Sequence, residues 1–466
     1  MRVTLVYPGI VGMGFASAGK GLDAGWVSHG LCILGACARE AGHEVDLIDL
    51  RALTGWEHYR DELSRRRPQV VGVTMMSVDF NPGMQAVRIA KEVDPGIATV
   101  VGGPHPTLAT AEVLADPAVD HVVTHEGEIS FVDLLRRLEA GQPVERVIHG
   151  QKPDLESLPV ADRDLFLTEW RKAGYTLDSP EVPLADLPAP FVTIIAGRGC
   201  IYNCSFCQPA ERTLFGGRVR RRSVPNVMAE LRFLRDRYRF RSLMIHDDCL
   251  TEDRKWVEEF CRAYKAEGFD QPFFCQTRAD IVVRNEDMVA LMHDAGLRGF
   301  FIGFESGSQR VLNFIRKGTK VEHNYAAARI CRRYGIRIWA NYMLGLPTET
   351  KDEIMATVRM LKDIDPDWYS PAFYTPHPGS DLYTYCLEHD LSLIKDHDSY
   401  RRNPTEVKIK GHDYEFLLWA LNESTRRKPL NRLRRWSAAT WRRYASPRKV
   451  ARKLRQMLAP APSAGS

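Results

Sequence analysis

Short runs of β-branched and apolar residues recur along this chain, each followed by a helix-period pattern, and the rhythm occurs twice. The first round places strands at 3–7, 44–48, 70–74, 98–101 and 121–123. Helical segments fall between them at 27–41, 55–66, 81–93, 107–115 and 128–139. The second round places strands at 191–196, 241–246, 272–277, 298–304, 336–343 and 367–374. Its helices fall at 224–238, 253–267, 286–295, 308–333 (read as two) and 349–364. Strands apolar on both faces and alternating with helices build parallel sheets with helices covering them.

Pro153, Pro159, Pro180, Pro183, Pro188 and Pro190 break the rhythm over 141–190, which reads as a connector with one short helix near 165–172. Residues 1–140 predict a flavodoxin-like, doubly wound parallel sheet. Residues 191–400 predict a partial (β/α)6 barrel, since six units are too few for the closed eight-strand form. Both α/β architectures put ligands beyond the carboxyl ends of their strands. There the turn Gly102-Gly103-Pro104-His105-Pro106-Thr107 follows the fourth strand, and His125-Glu126-Gly127-Glu128 follows the fifth.

The 466 residues are 44% hydrophobic and 26% charged, which fits a globular protein of two or three folded units. No apolar run is long enough to cross a bilayer, and residues 1–8 read as a strand and not as a signal peptide, so a cytoplasmic location is expected. The formal charge of +5 is uneven: residues 426–455 hold thirteen Lys and Arg, and no acid follows Glu423. The body is therefore mildly acidic, and its charge gives no support for nucleic-acid binding. The extension 401–466 predicts a basic helical tail in which Leu433, Trp436, Trp441, Tyr444, Leu454 and Leu458 interleave with cations. Such a segment suits peripheral contact with an anionic inner membrane surface, a nucleic acid, or docking on the barrel. Residues 459–466 read as disordered.

Seven of the ten cysteines are scattered singly, as small buried apolar side chains are. The other three stand in Arg198-Gly199-Cys200-Ile201-Tyr202-Asn203-Cys204-Ser205-Phe206-Cys207, at the exit of the second round's first strand. A loop of C-x3-C-x2-C spacing turns three thiolates toward one point. A four-iron, four-sulfur (4Fe-4S) cube has four irons needing outside ligands, so three cysteines leave one open. The competing readings are zinc, which wants four closed ligands where no further cysteine or histidine follows promptly, and three unligated thiols.

With Phe206 before its third cysteine, this loop resembles the hallmark of the radical S-adenosylmethionine enzymes. The resemblance implies a 4Fe-4S cluster on Cys200, Cys204 and Cys207 whose open iron takes the amino and carboxylate groups of S-adenosylmethionine. One-electron reduction, from a donor such as flavodoxin or ferredoxin, then releases a 5′-deoxyadenosyl radical. The resemblance also assigns strand ends. Asp247 or Asp248 would meet the amino group, and Gln276 and Arg278 follow the third strand, with Arg278 meeting the carboxylate. Glu305 or Ser306 would contact ribose or methionine, and the turn Gly345-Leu346-Pro347 would approach adenine. Pro376-His377-Pro378-Gly379-Ser380 closes the series. Taken singly, each has a plain reading: a strand-end Asp is often a helix cap, and Glu305 a solvated charge.

A flavodoxin-like domain ahead of such a barrel is similar to the cobalamin-binding radical enzymes, over residues 1 to about 400. That likeness implies cobalamin near Gly102, Gly103, His105, Glu126 and Gly127, glycines allowing close backbone approach. His105 and His125 have the alternative of structural hydrogen bonding. The chain departs from the Asp-x-His-x-x-Gly loop of many cobalamin proteins: residues 8–14 contain no histidine, so the cobalt-ligating residue of that loop is missing. The implied reaction is methylation of an unreactive carbon or phosphorus of a small organic or lipid substrate. A radical cyclisation or rearrangement is the alternative, and a non-catalytic iron–sulfur protein a third.

Overall fold

The computed structural model describes residues 1–11, 14–18, 27–176, 187–207, 211–401, 406–428 and 431. Six parallel strands form the first sheet: β1 (Arg2–Tyr7), β2 (Glu44–Asp49), β3 (Val70–Thr74), β4 (Ala98–Gly102), β5 (His121–Thr124) and β6 (Val147–His149). Their order is β2-β1-β3-β4-β5-β6, parallel throughout. Alternate residues feed opposite faces. Val3 and Leu5 pack with the helices His29–Glu40 and Glu128–Glu139, while Val6, Val71 and Val73 pack with Trp56–Arg66 and Phe80–Val93. This is the doubly wound sheet expected.

The differences are local. The sheet gains β6 from the stretch read as connector, since Val147-Ile148-His149 is too short to stand out among prolines and charges. The helix expected at 107–115 is two, Pro104–Leu108 and Thr110–Leu114, broken at Ala109 (φ −135°, ψ 45°). The connector's helix Asp164–Lys172 joins the first domain's core: Leu165, Phe166, Leu167 and Trp170 pack beneath β1 and β2. The Trp170 indole N–H donates to Asp49 Oδ2 at 2.9 Å, satisfying a buried donor, and Arg51 closes on the same carboxylate at 2.7 Å.

The second sheet starts at β7 (Phe191–Ile194), from which a two-residue antiparallel ribbon, β8 (Gly197–Arg198) with β9 (Arg220–Arg221), branches. It continues through β10 (Ser242–Ile245), β11 (Phe273–Thr277), β12 (Leu297–Glu305), β13 (Arg337–Leu344) and β14 (Trp368–Phe373). Each large strand pairs in parallel with the next, from β7 to β14, giving an open half-barrel. Phe300, Ile302 and Phe304 point to the covering helices. In-register partners Gln276, Phe301, Trp339 and Trp368 share the concave face, where Phe301 stacks on Trp339 at 4.9 Å. The expected 308–333 region is two helices, Gln309–Phe314 and Val321–Arg333.

After the barrel, the helix Tyr414–Thr425 buries Leu417 and Ala420 against the barrel core. Leu433, Trp436, Trp441, Tyr444, Leu454 and Leu458, the basic residues from 432 onward and 459–466 lie outside the described residues. Among the described residues no helix is long and apolar enough to cross a membrane.

Trp170→Ala is expected to destabilise the full chain by about 3–5 kcal/mol in urea unfolding. A loss below about 1 kcal/mol would mean that the connector helix is peripheral to the first domain.

Candidate active site between the two sheets

The cysteine loop leaves β8 through Gly199, whose φ of +91° and whose missing Cβ, which would meet the Arg218 carbonyl at 3.0 Å, demand glycine. Backbone bonds fix the loop: Cys207 N–H donates to Cys204 O (3.3 Å), Ser205 N–H to Ile315 O (3.0 Å) and Leu382 N–H to Ser205 O (2.8 Å). The three cysteines are partly buried. Burial pushes the Cys200 thiol up to about 11 and the Cys207 thiol up to about 12, so their thiolates form only against bound positive charge. Two cations stand by. Arg278 lies 3.6 Å over the Tyr202 ring with Nη1 3.9 Å from Cys204 Sγ, and Lys317 Nζ sits 5.7 Å from the Phe206 ring centroid. Three sulfurs on one loop flanked by two cations fit an anionic iron–sulfur cluster that lacks a fourth protein ligand.

The strand-end residues divide into those facing the loop and those spent elsewhere. Arg278 follows β11 and is held by Asp280 Oδ1 (3.0 Å) and the Lys317 carbonyl (2.6 Å). Glu305 ends β12 at φ +60° beside a register shift, and its Oε1 accepts from Lys317 Nζ at 2.8 Å, both side chains buried. A Cβ on Gly303 would collide with that ion pair, which explains the glycine. Asp248 stays solvent-accessible and shares a hydrogen bond with the buried Glu211, four residues beyond Cys207. Enclosure by protein, then mutual repulsion, raises Glu211, so the pair retains a proton. Gln276 lies on the concave face, in register with Phe301.

Asp247, Ser306 and Gly345 are placed otherwise. Asp247 is buried, accepting from Ala196 N–H (2.7 Å) and pairing with Arg221 (2.8 Å), so its carboxylate braces the exit of β7. The fully buried Ser306 hydroxyl lies 3.2 Å from Thr357 Oγ1 and accepts from Ser308 N–H (3.1 Å). Gly345 (φ +74°) is buried against Leu417, and its N–H and that of Leu346 donate to Glu349 Oε2 at 2.8 and 3.1 Å. Protein partners hold both the Asp247 and the Ser306 side chains.

The first sheet's crest meets the loop through buried charge. Arg198, two residues before Cys200, donates Nη1 to Glu126 Oε2 (2.7 Å) and Nη2 to Glu128 Oε1 (2.6 Å), and Arg220 pairs with the other Glu126 oxygen. The Glu126 side chain is 1% exposed, so the residue read as a cobalamin contact is the hub of the domain junction. Gly103 (φ +108°) leaves no room for a Cβ, which would lie 3.0 Å from Met75 N and O. His105 is fully buried, its Nδ1 3.1 Å from Ser77 Oγ. Exposed on the crest are His125, Met76 and Ile129, while Ile201 is exposed on the cysteine loop. The exposed apolar side chains of Met76 and Ile129 fit contact with a large flat group such as a corrin.

Sequence reasoning missed Glu211, Lys317 and the Arg198–Arg220 pair. Only the arginine of the Arg-Gly-Cys triplet offered a signal: a cation held next to a metal-binding loop.

Arg198→Ala strands the buried Glu128 carboxylate and leaves Glu126 with Arg220 alone, and about 3–5 kcal/mol of stability and much of the iron per chain are expected to be lost. Arg198→Lys should recover only part, because an ammonium cannot fork to both acids. Unchanged iron content in the alanine variant would contradict this. A second expectation concerns Glu349, whose carboxyl burial pushes up to about 8 from 4.5 in the unfolded chain. The folded state therefore holds a proton that the unfolded chain releases first, and stability declines as pH rises between those values. Relative to Glu349→Gln, wild type should lose at most ~1.4 kcal/mol per pH unit between pH 5 and 8 in urea unfolding. A constant gap would contradict the buried, protonated acid.

Comparison with known proteins agrees with this geometry. The model of the B12 binding domain matches residues 23–135, and that of the Radical SAM superfamily matches residues 194–361. The chain is 27% identical over 398 residues to the uncharacterized methyltransferase PH0819 of Pyrococcus horikoshii, covering 82% of this chain and 83% of that protein. It is 27% identical over 403 residues to the anaerobic magnesium-protoporphyrin IX monomethyl ester cyclase of Rubrivivax gelatinosus, covering 82% and 69%. In fold it is similar to the radical S-adenosylmethionine methyltransferase TsrM from Kitasatospora setae, solved with cobalamin and a 4Fe-4S cluster (TM-score 0.64, 16% identity, 83% of this chain and 78% of that one). The chain thus carries a B12 binding domain followed by a Radical SAM superfamily domain, the combination that the cobalamin-binding radical S-adenosylmethionine enzymes it resembles also show.

Proposed function

We propose that this enzyme transfers a methyl group to an unactivated carbon or phosphorus of a small organic or lipid substrate. The observation that carries the reading is the junction itself, where Arg198 joins the cysteine loop to the glycine crest. The cluster, when bound, supplies one electron and an iron open to S-adenosylmethionine. Cobalamin at the crest supplies a methyl carrier.

The chain's own residues position the reactants. Cys200, Cys204 and Cys207 hold the cluster. Asp248, backed by Glu211, receives the ammonium of S-adenosylmethionine, and Arg278 lies on the opposite flank for its carboxylate. Glu305 with Lys317 and Gln276 bound the nucleoside side. Gly102, Gly103 and Gly127 let the crest approach the corrin closely. The aromatic row of Phe301, Trp339 and Trp368 on the concave face favours an apolar substrate and keeps water from a radical. The net reaction takes two S-adenosylmethionines, the substrate C–H or P–H and two electrons from a flavodoxin- or ferredoxin-type donor. It yields the methylated substrate, 5′-deoxyadenosine, methionine and S-adenosylhomocysteine.

Similarity to a cyclase supports a second outcome, radical cyclisation in the same cleft. Anaerobic incubation of the reconstituted enzyme with S-adenosylmethionine, cobalamin, reductant and candidate substrates separates the two. Methyl transfer predicts 5′-deoxyadenosine and S-adenosylhomocysteine together, with a product one CH2 heavier. Cyclisation predicts loss of hydrogen without added carbon. Neither nucleoside from cluster-loaded enzyme across the substrate panel would contradict the proposal. Cys204→Ala should abolish 5′-deoxyadenosine entirely.

A further inference from the structure

Away from the cysteine loop, three side chains converge where the first sheet's crest meets the segment after the barrel. His105 lies in the short helix Pro104–Leu108 after β4, Glu112 in the next helix Thr110–Leu114, and His397 opens the turn His397–Tyr400. His105 Nε2 is 3.4 Å from Glu112 Oε2, and His397 Nε2 is 3.2 Å from Glu112 Oε1. One donor atom from each residue lies within 4.8 Å of the other two.

The rings are held in place. Phe80 stacks on His397 with centroids 3.9 Å apart and meets His105 edge-on at 5.1 Å. The two imidazoles are perpendicular, 5.4 Å apart. His105 is wholly buried, and although Glu112 is near, its Nε2 makes no hydrogen bond. Its Nδ1 is engaged by Ser77 Oγ at 3.1 Å. This is the arrangement of a ligating histidine, one nitrogen fixed by a neighbour and the other offered to a metal. Burial, then the neighbouring His397, lowers His105 to about 4, so its imidazole is neutral at physiological pH. A buried, neutral imidazole nitrogen without a hydrogen bond, aimed at a carboxylate, is costly unless something lies between them.

We propose that His105, Glu112 and His397 bind one divalent transition-metal ion of the zinc type, clipping the segment after the barrel to the crest of the first domain. Two imidazoles and a carboxylate suit zinc, and bonds of about 2.0–2.1 Å in a tetrahedron set ligands roughly 3.3–3.4 Å apart. The 3.4 and 3.2 Å separations run to the two different Glu112 oxygens, so the carboxylate spans both imidazoles, and one donor atom of each residue lies within 4.8 Å of the other two before any ion is added. Glu112, with a side chain 46% exposed, leaves an entry path and room for water as fourth ligand. The site takes no ligand from the cysteine triplet and lends His105 a role other than contact with the corrin.

The test uses full-length, cluster-loaded enzyme, so that the three thiols are occupied. After equilibration with zinc and gel filtration, elemental analysis should find one zinc per chain beside the cluster iron. His397→Ala and Glu112→Gln, both folded by circular dichroism and with wild-type iron content, should bind zinc at least tenfold more weakly. Zinc-edge absorption should show nitrogen and oxygen ligands near 2.0–2.1 Å and no sulfur near 2.3 Å. No zinc on wild type, equal zinc on all three proteins, or sulfur ligation would each overturn the site.

Discussion

The fork of Arg198 onto Glu126 and Glu128 is the contact on which the rest of the site depends. It joins residues about seventy positions apart in the chain, is almost wholly buried, and lies two residues from the first cluster cysteine. Removing one partner of a buried pair leaves a charge without compensation, so the junction holds as a unit or fails as one. Arg220 adds a third pair to the same hub, and Arg163, from the connector, reaches Glu230 and the Thr193 carbonyl across the same seam. The two sheets thus meet with their carboxyl ends together.

Within the cleft, charge is sorted by side. Arg278 and Lys317 stand by the sulfurs, and Lys317 is balanced by Glu305, whose left-handed backbone at the β12 register shift brings its carboxylate over Gly303. Across the loop, Glu211 and Asp248 form an acidic pair that keeps a proton. A zwitterionic amino-acid group lying between a carboxyl pair and a guanidinium has only one favourable orientation. The same sorting lets the partly buried Cys200 and Cys207 thiols lose their protons when a metal cluster arrives.

Much of this was legible in the residues. Covalent chemistry sets the spacing of Cys200, Cys204 and Cys207, and hydrophobic rhythm sets the strands, so both are local signals that survive in one dimension. Ion pairs have no such period. Nothing in Glu126-Gly127-Glu128 distinguishes a cofactor contact from a junction hub, and Asp247 and Asp248 are neighbours of the same type that β10 sends to opposite duties. One braces Ala196 and Arg221, and the other stays at the open site. Where the Ser306 hydroxyl points follows from the Glu305 turn and a register shift between strands, which no local pattern announces. The strand β6 and the core role of Trp170 were hidden for a related reason. Short apolar pieces within a proline-rich stretch acquire meaning only from the surface they cover.

The central claim is that cluster and corrin share one cleft at the Arg198 junction. The most direct measurement is electron paramagnetic resonance of full-length enzyme carrying both the reduced cluster and cob(II)alamin, against samples carrying each alone. A shared cleft predicts mutual magnetic perturbation, with broadened lines and faster relaxation of both centres. A spectrum that is the plain sum of the two would contradict it, leaving the first domain a support for the barrel and not a wall of the active site.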